Sequence, residues 1–69
     1  MQYGVVKWYS EGQGRGIILP DDDVREFTVA HSDIVSDGFK ILYEGQRVRF
    51  EVGETKRGLV ARNVEVMEE

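Results

Sequence analysis

With 69 residues, no cysteine and one histidine, the chain has the length of one small domain. It lacks the residues for a disulfide, a zinc centre or a thiol nucleophile. Its formal net charge of −4 runs against nucleic acid as a partner unless charge is segregated. Acids cluster at Asp21-Asp22-Asp23, at Glu51 and Glu54, and at Glu65, Glu68 and Glu69, and bases occur at Lys7, Arg15, Lys40, Lys56 and Arg57 among others, so a small barrel with a basic face and an acidic back stays open. No apolar run approaches the ~20 residues of a membrane span, so no membrane partner is expected. The first residues lack the basic and apolar regions of a signal peptide, which makes the cytoplasm the expected location. A chain of this size buries only about 60% of its unfolded surface, so a thin stability margin is expected.

The pattern predicts an all-β chain. Tyr3 to Tyr9 (YGVVKWY) is β-branched and aromatic and reads as a first strand. Ser10 to Gly14 is turn chemistry, and Gly14 to Leu19 (GRGIIL) is a second strand whose glycines signal a bend or a close approach. Pro20-Asp21-Asp22-Asp23 breaks it. Glu26 to Ala30 (EFTVA) sets Phe27 and Val29 against Thr28 and Ala30, the period of a half-buried third strand. His31 to Gly45 carries no strong period and reads as a long connection with room for one helical turn. Arg47 to Val52 alternates most cleanly, with Val48, Phe50 and Val52 on one side and Arg47, Arg49 and Glu51 on the other. Gly53 to Gly58 reads as a loop, and Leu59 to Val66 as a fifth strand interrupted near Asn63. Five short strands without a normal helix point to closure into a small barrel, which removes exposed edges.

The most informative stretch is Lys7-Trp8-Tyr9 with Gly14-Arg15-Gly16-Ile17. Adjacent aromatics on a strand point to opposite faces, so at least one is expected to meet solvent. An exposed ring beside a cation is a stacking platform for bases, with the cation on phosphate. The residues alone leave a second reading open, in which Trp8 fills a small core.

The run GVVKWYSEGQGRGII resembles the opening of bacterial cold-shock proteins, roughly G-x-V-K-W-F-N-x-x-K-G-F-G-F-I. The resemblance continues through Pro20-Asp21-Asp22, Ser32-Asp33-Ile34, Asp37-Gly38-Phe39-Lys40, Glu44 to Phe50, Lys56-Arg57-Gly58 and Ala61 to Val64. It spans essentially the whole chain, so residues 1–69 read as one cold-shock-type domain. The resemblance implies a five-stranded antiparallel OB-fold barrel that binds single-stranded RNA or DNA. It implies no catalysis and no cofactor; no metal and no small-molecule substrate are expected either. Carried over residue by residue, Lys7, Trp8, Phe39 and Arg57 stand where the family places binding residues. Tyr9 replaces a family phenylalanine and keeps a ring, and Lys40 matches the lysine beside Phe39.

The departures are as informative. The family's K-G-F-G-F-I is here Gln13-Gly14-Arg15-Gly16-Ile17-Ile18, without the lysine or either phenylalanine. Its V-F-V-H-F is here Phe27-Thr28-Val29-Ala30-His31. A register with a one-residue deletion would match His31 to the family histidine, but the gapless register keeps Phe27 and Val29 inward. Stacking on an aromatic is worth ~1–3 kcal/mol per base. Rings are lost at Arg15, Ile17 and Thr28. Two such losses at ~1.5 kcal/mol each amount to roughly a hundredfold in affinity. Arg15 returns part of this, because a guanidinium stacks and also pairs with phosphate. His31 is a smaller ring that still stacks. Weaker, more salt-dependent binding than the family norm is therefore expected.

Two functions compete. In the first, a single strand lies across Trp8, Tyr9, Arg15, Ile17, Thr28, His31 and Phe39, with phosphates on Lys7, Lys40 and Arg57, in the manner of an RNA chaperone. In the second, the barrel serves a protein partner or a weak homodimer. There Ile17, Ile41 and Tyr43 form an apolar patch if they share one surface, and are scattered apolar residues if they do not. An enzyme is not expected. The sequence offers no nucleophile–base pair, and Gly12-x-Gly14-x-Gly16 is too short for a phosphate loop. The Asp21–Asp23 run reads as a solvated turn rather than a cation site, and His31 as a polar or stacking residue rather than a pH sensor.

Overall fold

The computed structural model describes residues 1–36, 38 and 40–67. Five strands, β1 (Gln2–Ser10), β2 (Arg15–Pro20), β3 (Phe27–Ala30), β4 (Arg47–Thr55) and β5 (Gly58–Val66), close into a barrel in the order β1-β2-β3-β5-β4. A 3₁₀ turn, His31–Asp33, supplies the helical turn of the long connection. Four of the strand contacts are antiparallel. Closure comes from a parallel contact between β3 and β5 at Thr28 and Val60, extended by a bridge between Ile34 and Val64.

Alternation fills the interior. Val6, Ile18, Phe27, Val29, Val48, Phe50, Ala61 and Val64 are buried. Phe27 and Phe50 meet with ring centroids 5.5 Å apart, tilted at 59°. This is an arrangement that aromatic quadrupoles favour. The long connection adds Ile34 and Leu42 to the same core.

Three expectations need correcting. The segment read as a loop from Gly53 to Gly58 is mostly strand, because β4 and β5 pair as far as Thr55 and Gly58 and leave only Lys56 and Arg57 in the turn. Val52 stands opposite buried Ala61, yet it is 47% exposed. The reason is that β1 covers β4 only as far as Phe50, so beyond it the hairpin has no neighbour on that side. Pro20 does not break β2 but ends it, opposite Gly4. The interruption expected near Asn63 is an irregularity within β5. The register against β4 shifts between Arg49 and Glu51, and Asn63 takes a left-handed φ of 52°. Its amide donates to Glu51 at 3.2 Å, a local bond of the kind that lets asparagine tolerate that conformation.

Candidate nucleic-acid interface

A bulge in β1 builds the face. Val6 pairs with Ile18, and Trp8 with Ile17, so Lys7 is the extra residue. The bulge breaks the inward–outward phase. Lys7 and Trp8 are both exposed, while Tyr9 turns back toward the core. Gly16 makes room for this. A Cβ there would strike the Trp8 carbonyl oxygen and stand 2.9 Å from Tyr9 Cδ1. Gly14, with a φ of 68°, supplies the left-handed residue that completes the β1–β2 turn.

The strand registers then set one row across four strands: Trp8 beside Ile17, Ile17 beside Thr28, and Thr28 beside Val60. Ser10, Arg15 and Ala30 form a second row. Trp8 is 39% exposed. Its two row neighbours are a half-buried isoleucine and an exposed threonine, so it is the one ring in the row. Arg15 is steered by Gln13, whose Oε1 accepts from the Arg15 Nε at 3.1 Å. His31 is exposed at the row's edge, where its backbone N–H donates to the Gly14 carbonyl at 2.7 Å.

An open cleft of about 170 Å³ adjoins the row, and Arg15, Thr28, Thr55, Arg57, Leu59 and Val60 line it. It joins three residues that the sequence nominated separately, Arg15, Thr28 and Arg57. Thr55, Leu59 and Val60 were not nominated, since only the β3–β5 closure brings them here. The other nominated residues lie differently. Tyr9 packs half-buried against the core and donates its hydroxyl to the Lys40 carbonyl at 3.3 Å, so it tethers the connection instead of standing beside Trp8. Burial, and then Glu11, raise its pKa above the ordinary phenol value. Lys40 is half-buried. Phe39 lies outside the described residues, as does Asp37. Ile17 and Ile41 are half-buried and Tyr43 is exposed.

The cations divide. Lys7 reaches Glu26 at 2.5 Å, Arg25 reaches Asp23 at 2.6 Å, Arg47 reaches Asp21 at 2.8 Å and Arg49 reaches Glu65 at 3.2 Å. Among the described residues Arg15 and Arg57 meet no carboxylate, and no acid lines their cleft. Two of the three turn aspartates, Asp21 and Asp23, are paired internally. The Arg25 side chain, with help from its backbone N–H, holds Asp23 at about 2, and Arg47 holds Asp21 below the ordinary carboxylate value. Among the described residues no group of three or more His, Asp or Glu is arranged to hold a metal, and no helix is long and apolar enough to cross a membrane.

Comparison with known proteins agrees with this architecture. The profile of the family described as the 'Cold-shock' DNA-binding domain matches residues 2–67. Cold shock-like protein CspG of Shewanella violacea is 48% identical over 61 residues, covering 88% of this chain and 87% of the relative. Cold shock-like protein CspE of Escherichia coli K12 is 46% identical over 61 residues, covering 88% of each. In the solved structure of drosophila Unr CSD456 the same fold recurs with a TM-score of 0.80 at 13% identity, over 97% of this chain and 26% of that longer one.

Proposed function

Since the chain belongs to the cold-shock domain family, whose members bind nucleic acid and are not enzymes, we propose that it binds single-stranded RNA or DNA across the Trp8 row. The observation that carries this reading is the exposed Trp8 ring on one continuous rung with Ile17 and Thr28, beside two arginines that meet no carboxylate among the described residues. Bases stack on Trp8, and phosphates meet Arg15, Arg57 and Lys40. Lys7 contributes less, since a strand must compete with Glu26 for it. Affinity is below the family norm, because Arg15, Ile17 and Thr28 offer no ring where the family resemblance expects one. Such a protein holds RNA unpaired by trapping exposed bases. Residues 1–69 acting as one binding domain, a cytoplasmic location, and no need for a cofactor or small-molecule substrate belong to the same reading.

The only tryptophan makes the test direct. Titration with a short oligothymidine and a matched RNA, at two salt concentrations, should quench Trp8 saturably and less at high salt. Silence at micromolar strand in low salt would refute strand binding. Sub-nanomolar binding at physiological salt would refute the weakened affinity. A second reading, a protein partner or weak homodimer, draws on Tyr43, which is exposed, while Ile17 and Ile41, named with it for an apolar patch, are half-buried. Elution from a sizing column that shifts with concentration would favour the homodimer form of it.

A further inference from the structure

Resting on that strand-binding reading, we infer that the cleft between Arg15 and Arg57 seats a sugar–phosphate unit of the strand. At this point the chain is held by its backbone, whereas at Trp8 it is held by a base. Among the described residues the cleft's lining holds no aromatic ring, so they offer no plane of carbon on which a base would stack. It offers guanidinium groups instead. Gln13 occupies the Arg15 Nε and leaves the terminal N–H groups for a forked contact with phosphate oxygens. Arg57 has no side-chain hydrogen bond among the described residues, and its position is set by its turn. There the Thr55 hydroxyl accepts from the Arg57 backbone N–H at 3.2 Å and donates to the Gly58 carbonyl at 3.2 Å. The Thr55 hydroxyl is thus committed to shaping the turn, while the exposed Thr28 hydroxyl makes no side-chain hydrogen bond among the described residues.

The rest of the cleft suits a sugar. Leu59 and Val60 are half-buried and give it an apolar wall. The cleft of about 170 Å³ is open to solvent, so an entering phosphate and sugar would displace water from it. Among the described residues the lining contains no carboxylate to repel an anion. Lys7, at the other edge of the row, is opposed by Glu26. Arg15 therefore does more than replace a lost ring. It changes what the neighbouring site recognises, from a base face to the backbone, and it does so together with an arginine from another hairpin.

The test uses the whole protein with ¹⁵N-labelled arginine and three probes: hexathymidylate, a six-unit abasic sugar–phosphate chain, and inorganic phosphate at equal phosphorus concentration. The abasic chain should move the Arg15 and Arg57 Nε–Hε resonances while leaving Trp8 emission unchanged. Hexathymidylate should move both resonances and quench Trp8, and inorganic phosphate should move them least. Arg15→Ala should lower the slope of log K against log salt for hexathymidylate by about 1. Arg15→Lys, which keeps the charge but not the fork, should restore most of that slope and only part of the affinity. If hexathymidylate moves the two arginines and the abasic chain does not, the cleft holds a base and the inference is overturned. If inorganic phosphate acts as strongly as the abasic chain, the site takes free anions and no strand unit. Should hexathymidylate fail to quench Trp8, the strand-binding reading falls, and the abasic chain by itself still decides what the cleft accepts.

Discussion

Two stretches of the barrel's outer wall carry arginines and use them in opposite ways. Over the N-terminal half of β1 and the start of β4, Arg47 forks onto Asp21 with two bonds of 2.8 Å, and Arg49 reaches Glu65 across the ladder. Beside the C-terminal half of β1, Arg15 is held by the Gln13 amide, and Arg57 lines the same cleft, which no acid lines among the described residues. The same residue type closes the barrel's surface in one place and stays available in the other. A net charge of −4 therefore says little about whether the chain attracts a polyanion, because the potential that a strand meets is local.

The largest effect should come from removing what the two stretches share. Phe50 is fully buried against Phe27, and Phe50→Ala should cost ~3–5 kcal/mol in a denaturant titration, much of a small domain's stability. Both stretches should be lost together. If binding to a strand survived such a loss of fold, the rows described above would not be the binding surface.

The next contrast separates the stretches. Trp8→Ala should weaken strand binding by ~1–3 kcal/mol, roughly 5- to 150-fold, measured by anisotropy of a labelled oligothymidine. Arg47→Ala, on the paired stretch, should leave that affinity within about twofold. Equal losses would erase the distinction. A smaller change tests the one cation near Trp8 that is neutralised. Glu26→Gln should release Lys7, tighten binding a few-fold and steepen its salt dependence. No change would place Lys7 off the strand's path.

The smallest effect concerns acid. Asp23 is held at about 2 by its bonds to Arg25, and Asp21 is lowered by Arg47, against an ordinary carboxylate near ~3.9. A depressed native value favours the folded state above the ordinary value. That contribution disappears as pH falls toward 2. Thermal unfolding between about pH 4 and 2 should therefore steepen its decline, less so at high salt and less so in Arg25→Ala. An identical profile in that variant would mean that the pair contributes nothing.

Much of the barrel was legible because its first three strands pair in chain order and alternate. EFTVA and RVRF told Phe27, Val29, Val48 and Phe50 from their exposed neighbours. The Trp8, Ile17 and Thr28 row lies on those consecutive strands, so its members could be nominated from motif positions. What stayed hidden depends on distant pairing. Val52 reads as core until β1 is seen to stop covering β4 at Phe50. Ile34 and Leu42 sit in a stretch without a period, and only the closed barrel gives them an interior to enter. Thr55, Leu59 and Val60 reach the site through the β3–β5 contact, which no local pattern encodes. In the sequence Tyr9 reads as a second stacking ring. The bulge at Lys7 instead leaves Trp8 outward and sends Tyr9 toward the core.

On the proposed reading a strand lies on the Trp8 row and its cleft and leaves the paired stretch bare. Backbone amide shifts of the ¹⁵N-labelled protein, followed during titration with hexathymidylate at low salt, test it most directly. Perturbations concentrated at Trp8, Arg15, Ile17, Thr28 and Arg57, with Tyr3, Asp21, Arg47, Arg49 and Glu65 unmoved, are the predicted result. Shifts centred on Tyr3 and Arg49, or spread evenly over both stretches, would contradict it.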